Sequence, residues 1–153
     1  MQKPPYEFLD HTSEAKFRAY GKNLEEAFAN AALALTSLMT DREMVPAKIK
    51  KQITVSAEDE KALLYDFLEE LIILKDSEAL FLHDCAVTIM RKTKPSLHFE
   101  LVAQCRGAAG VSYATGADVK AMTYSDMLIE KQNDERKNEK KKDRWMLQVV
   151  VDI

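Results

Sequence analysis

Between Asn23 and Thr40 the chain carries an apolar face at helical spacing, filled in with alanine. Leu24, Phe28, Ala31, Leu35, Leu38 and Met39 recur every three or four residues, with Ala27, Ala32 and Ala34 between them. Asn23 is a good N-cap, and Glu26 three positions on completes a capping-box signature. Small side chains let such a helix lie close on a sheet, so a helix over residues 24–40 calls for strands beneath it. Residues 56–59 offer caps for a second helix, with acidic side chains at its positive end. Leu63, Leu64, Phe67, Leu68, Leu71, Ile72 and Leu74 form its apolar face, Asp66, Glu69 and Glu70 look outward, and it stops near residues 75–77.

The rest of the chain has strand periodicity. Residues 6–9 form a short candidate strand after Pro4-Pro5, and residues 15–20 alternate apolar Ala15, Phe17 and Ala19 with Lys16, Arg18 and Tyr20. Residues 52–56 alternate likewise. Residues 80–90 and 97–103 read as the two arms of a hairpin, residues 107–116 as an exposed glycine-containing loop, and residues 119–131 and 145–151 as the last strands. Strand, strand, helix, strand, helix and then a run of strands is not βαβ alternation. It indicates an α+β fold with two helices packed on mostly antiparallel β-sheet.

A chain of 153 residues with 46% apolar and 31% charged side chains is most simply one folded domain, residues 1–153. The net charge of −3 gives no general reason to expect nucleic acid binding. The exception is local: residues 131–144 hold seven basic and four acidic side chains, so residues 132–143 read as a charged, flexible hairpin tip, with an electrostatic contact to RNA as the sharper alternative. Cys85 and Cys105 stand twenty residues apart without a zinc-type spacing and are expected to be reduced and buried, which favours a cytoplasmic protein. No apolar run approaches membrane-spanning length.

Several chemistries are set aside by missing motifs: there is no phosphate-binding glycine loop, no G-x-S-x-G elbow and no H-E-x-x-H. His83 and His98 read as surface residues. Asp10, His11, Thr12, Ser13 and Glu14, in contrast, crowd two carboxylates, an imidazole and two hydroxyls between two strands. Local turn-forming hydrogen bonds are one use for such residues. An oxygen-rich site for a hard cation such as calcium or magnesium is the other, and it needs donors from elsewhere. Asp152 and Ile153, at the end of the strand 149–151, are candidates to supply them.

Phe8-Leu9-Asp10-His11-Thr12, the helix start from Gly21 through Leu24-Glu25-Glu26-Ala27-Phe28, and Leu63-Leu64-Tyr65 with Phe67-Leu68-Glu69-Glu70-Leu71 resemble the archease family. So do Val119-Lys120-Ala121-Met122-Thr123-Tyr124 and Val151-Asp152-Ile153. The resemblance runs in order along nearly the whole chain. It implies an archease-type, SHS2-like domain that acts as a protein cofactor, not a catalyst. Its partner would be the GTP-dependent RNA ligase of tRNA splicing, whose guanylation and multiple turnover it promotes. It also implies a divalent ion, generally calcium, with magnesium or manganese as substitutes, held here by Glu14, Asp152 and Ile153. Asp10, His11 and Lys120 fall within the matched motifs and are candidates for partner binding.

The chain departs from the family pattern at three places. Glu14 stands where the His-Thr-Ala-Asp motif has aspartate, one methylene shorter. Gly107-Ala108-Ala109-Gly110 replaces a polar stretch, and Ser125 stands where many relatives carry histidine. Two rival functions stand beside this one. A metal-dependent hydrolase or transferase would hold an ion with Glu14, Asp10 and Asp152 and use His11 as base. An RNA-binding module would work through the basic tip, with an indirect or transient RNA contact as its weaker form.

Overall fold

The computed structural model describes residues 4–11, 13–134 and 142–153. Strands β1 (Tyr6–Leu9) and β2 (Glu14–Gly21) precede helix α1 (Leu24–Met39); a 3-10 turn at Arg42–Met44 leads to β3 (Ile49–Ala57) and helix α2 (Glu60–Glu78). There follow β4 (Leu80–Lys92), β5 (His98–Ala109), a second 3-10 turn at Val111–Tyr113, β6 (Ala121–Met122), β7 (Leu128–Asp134) and β8 (Lys142–Asp152). This is the α+β architecture of two helices on antiparallel sheet that the pattern predicts. One sheet runs β1-β2-β8, with β6 and β7 both pairing the far side of β8; the other runs β3-β5-β4.

Helix α1 begins where the sequence says it should. The Asn23 side chain accepts from the Glu26 amide at 2.8 Å, and Thr40 closes the helix by donating its amide to the Thr36 carbonyl. The alanines act as expected: Ala27, Ala31, Ala32 and Ala34 are fully buried, and α1 packs on both β2 and β4, so it joins the two sheets. Asp59 caps α2 by accepting from the Ala62 amide at 2.8 Å. Phe28 of α1 stacks on Phe67 of α2 with ring centroids 6.3 Å apart, amid Phe17, Leu35, Leu63, Leu101 and Leu147, none of which is exposed.

Four expectations are corrected. The stretch 107–116 is not a loop from its start, because β5 runs on through Gly107 to Ala109. Its small residues lack β-branched character, yet they are what fits where β5 passes under the Phe81 carbonyl. Residues 119–131 are not one strand: residues 123–127 leave the ladder between β6 and β7, with Asp126 in a left-handed conformation (φ 50°). The charged segment 132–143 is ladder at both ends, where Gln132 faces Arg144 and Asn133 faces Asp143. Its middle, residues 135–141, lies outside the described residues. His98 is half-buried, its Nδ1 2.8 Å from the Ser96 carbonyl oxygen.

Two glycines sit where backbone meets backbone. A Cβ on Gly21 would stand 2.3 Å from the Ala27 nitrogen, and one on Gly107 would stand 1.9 Å from the Phe81 oxygen. Neither neighbour is a side-chain tip that can swing aside. Gly21→Ala and Gly107→Ala are each expected to cost about 2 kcal/mol or more, as for other forced overpacking. Urea unfolding midpoints read this directly, and an unchanged midpoint would remove the close approach as a constraint on the fold.

Candidate functional site

The first-motif residues and the chain's last residues meet through strand pairing. β2 and β8 are antiparallel over eight residue pairs, and the register sets Glu14 opposite Asp152. Directly opposed residues project to the same face of a sheet, so the Glu14 and Asp152 side chains emerge together. That face is the one away from α1, because Ala15, Phe17 and Ala19, with their partners Val151, Val149 and Leu147, point to the core. Ile153 follows directly after the last residue of β8, at the end of the sheet's central strand. Lys120 joins this corner through its backbone, its amide donating to the Asp152 carbonyl at 2.8 Å, while its side chain is exposed.

His11 lies between carboxylates. Its Nδ1 is 3.4 Å from Glu14 Oε2 and its Nε2 is 4.0 Å from Asp126 Oδ2. Lys16 Nζ is 3.5 Å from the same Asp126 oxygen, so two basic groups converge on one carboxylate. Asp10 is exposed and takes part in no ion pair among the described residues; Thr12 lies outside them. Ser13 has φ 64°, and with Asp126 it puts two left-handed non-glycine residues beside the cluster. Such positions cost roughly 1–3 kcal/mol and persist only where the surroundings enforce them. Here they turn the chain sharply enough to bring His11 and Asp126 against the end of β2.

Lys16, Asp126 and Gln148 escape a reading of the sequence for chemistry. Lys16 is two residues after Glu14 in an alternating strand, so the period of two already puts both on one face. Asp126 offers no such signal. Gln148 is 4% exposed, a polar side chain inside β8. It accepts from Arg18 Nε at 2.9 Å and donates to the Asp126 carbonyl at 2.8 Å, while Thr123 Oγ1 donates to the Val150 carbonyl at 2.8 Å. These bonds pin the 123–127 loop across β8 and hold Asp126 over the site.

The same loop borders a second feature. Tyr124, 55% exposed, stacks on Tyr65 of α2 with ring centroids 4.4 Å apart. It lines a groove of about 820 Å3 with Leu97, Phe99, Ile129 and Trp145, beside Asp59 at the start of α2. Burial of part of the Tyr124 ring, and the carboxylates of Asp66 and Asp59, push its phenol up from the ordinary tyrosine range.

As a cation site the corner would offer hard oxygen donors: the Glu14 and Asp152 carboxylates and the main-chain carbonyl of Ile153. Among the described residues, no three His, Cys, Asp or Glu side chains stand close enough to hold an ion by themselves. The donor chemistry fits calcium or magnesium, and the remaining positions of a six- to eight-fold shell would need water or an oxygen from a partner.

Residues 6–153 match the Archease protein family (MTH1598/TM1083). The chain belongs to the archease family. Proteins named archease from Thermococcus kodakarensis and Pyrococcus abyssi are 38% and 36% identical to it over 148 residues, covering 97% of this chain and 98% of each relative. The archease of Sulfurisphaera tokodaii is 36% identical over the full length of both chains. The fold is that of Methanobacterium thermoautotrophicum protein 1598, whose solution structure superposes with a TM-score of 0.73 at 30% identity, covering 97% of this chain and 99% of that one. A crystal structure from Thermotoga maritima, described as an archease and possible chaperone, shares the fold at 18% identity and a TM-score of 0.56, over 100% of this chain and 98% of that one. No helix among the described residues is long and apolar enough to cross a membrane.

In this archease-family chain the loop's attachment is testable apart from any activity. Gln148→Ala removes both side-chain bonds and leaves a void beside Arg18. It is expected to cost about 1–3 kcal/mol in urea unfolding and to speed amide exchange at residues 123–127 ahead of the core strands. Protection of the loop equal to the parent's would show that Gln148 does not anchor it.

Proposed function

We propose that this chain is a protein cofactor of a GTP-dependent RNA ligase of tRNA splicing, promoting guanylation of the ligase and repeated turnover, and that it uses a divalent cation, calcium in the first instance, to do so. What supports this most is that the archease match runs from residue 6 to 153 and that its first and last motifs lie side by side in the β2–β8 ladder. In this reading Glu14, Asp152 and Ile153 hold the ion. Glu14 reaches it with a carboxylate one methylene longer than aspartate, giving up its contact with His11. The ion supplies concentrated positive charge on an otherwise acidic corner.

An ion held by two side-chain carboxylates and main-chain oxygens keeps open coordination positions. A ligase carboxylate or a nucleotide phosphate completes them, so the site works at an interface and not alone. Lys120 and Lys16 flank it as partners for such anions. The exposed Tyr124 ring, with the half-buried Phe99 and Trp145 along the same groove, provides apolar contact area for a protein partner next to the ion. His11, between Glu14 and Asp126, positions these carboxylates when no cation is bound.

The deciding measurement is ligation by the cognate ligase under multiple turnover, with this chain present or omitted. More turnovers and more guanylated ligase are expected in its presence; no change in either sinks the reading. Glu14→Ala, and separately a short extension after Ile153, should each weaken calcium binding by about tenfold or more and reduce stimulation in step. Glu14 is half-buried at the sheet surface and Ile153 is exposed, so unfolding free energies should change by less than about 1 kcal/mol. Metal-dependent hydrolysis or RNA binding by the isolated chain, without any stimulation, would point instead to one of the rival functions.

A further inference from the structure

Cys85 in β4 and Cys105 in β5 are directly opposed in the antiparallel register, with their sulfurs 3.2 Å apart and both thiols free. We infer that this pair is a modification site: a dithiol that reacts with a low-molecular-weight disulfide and closes to an intramolecular Cys85–Cys105 disulfide. The inference concerns the β3-β5-β4 sheet and stands apart from the cation corner and the ligase reading.

Facing residues of neighbouring antiparallel strands have Cα atoms about 4.5–5.5 Å apart, inside the range of about 4.4–6.8 Å that a disulfide spans. The strands need not move; rotation about the two Cα–Cβ bonds shortens the gap. The register is held one residue along both strands, where Arg106 and Asp84 pair side chain to side chain, Nε to Oδ1 at 2.9 Å. That ion pair also holds the Asp84 carboxyl below the usual carboxylate range. Access differs between the sulfurs. Cys105 is 2% exposed and belongs to the core, whereas Cys85 is only half-buried, so Cys85 is the sulfur that solvent reaches more readily. The hydrogen bond between the thiols holds Cys105 below the ordinary thiol range and, with burial, holds Cys85 above it.

The order of attack follows from the difference in access. The more accessible Cys85 sulfur attacks one sulfur of the incoming disulfide; its proton leaves with the first expelled thiol, and a mixed disulfide remains on Cys85. Cys105 then attacks the Cys85 sulfur and expels the second thiol, which carries off the second proton. Two protein S–H bonds and one small-molecule S–S bond are consumed; one protein S–S bond and two small thiols are formed. The protein is oxidised by two electrons and the small disulfide is reduced by two. Buried against its neighbour, Cys105 resolves the adduct faster than a thiol from solution.

The test uses the full chain, reduced and without denaturant, with glutathione disulfide as the probe. After alkylation of remaining thiols and mass analysis, the product should be unalkylated, about 2 Da lighter than the reduced chain, with the Cys85 and Cys105 peptides joined. With only two cysteines in the chain the assignment is unambiguous. Cys105→Ala should stop at a lasting glutathione adduct on Cys85, and Cys85→Ala should react at least about tenfold more slowly than the parent. Should a variant fail to fold, the parent's product alone decides. Both thiols surviving in the native chain while a urea-unfolded sample oxidises would overturn the inference. So would a stable adduct on the parent, or bridges between chains in place of the internal one.

Discussion

The β2–β8 ladder is the constraint on which the site depends, and it is enforced by burial, not by the site. Phe17 and Ala19 of β2, with Val149 and Leu147 of β8, face α1 and are fully buried. Each large side chain among them is worth roughly 1.5–3 kcal/mol of transfer free energy. A slip of one residue would turn Phe17 to the opposite face and send Glu14 toward the core. Correct packing under α1 is therefore the same event as setting Glu14 opposite Asp152. The acidic corner needs no attraction of its own to assemble, and two like-charged side chains can be held together there because the core outweighs their repulsion.

Gly21 ends β2 at that packing surface, and its missing side chain lets the first turn of α1 sit against the strand. The alanine face of α1 then carries contact to β4, so the corner's geometry is tied into the second sheet as well. By contrast, the charged groups around the corner add little to stability. His11, Glu14, Lys16 and Asp126 all keep solvent access, and exposed ion pairs are typically worth under about 1 kcal/mol. What fixes Asp126 is the buried Gln148 and the Thr123 bond to Val150, a polar network built into the middle strand. Its cost is two left-handed residues, Ser13 and Asp126, in a sheet that otherwise follows ordinary strand geometry.

That loop also links two surfaces of different character. On one side Asp126 belongs to the ion-paired corner; on the other Tyr124 lies against Tyr65 at the edge of an aromatic groove. A partner that engaged both would contact charge and apolar area through five consecutive residues. The Cys85–Cys105 pair sits in the other sheet. Its chemistry would tie β4 to β5 without altering the β2–β8 register.

Both helices, their caps, the α+β class and the strand character of most of the remainder are legible in the sequence, because each rests on local periodicity and local hydrogen bonding. Asn23 and Asp59 cap the helices they precede, and the alternation at 15–20 marks the buried face of β2 correctly. The archease resemblance likewise reads directly from contiguous motifs. What the tertiary structure alone decides involves pairs distant along the chain. Glu14 faces Asp152, 138 positions further along the chain, only because β2 and β8 share a register. Asp126 enters the site only because buried Gln148 draws the loop out of what periodicity reads as one strand. Cys85 meets Cys105 only because of the register of a hairpin whose turn their spacing of twenty does not reveal. Periodicity reports which face a residue takes; which residue stands across from it depends on strand pairing, and the core sets that pairing.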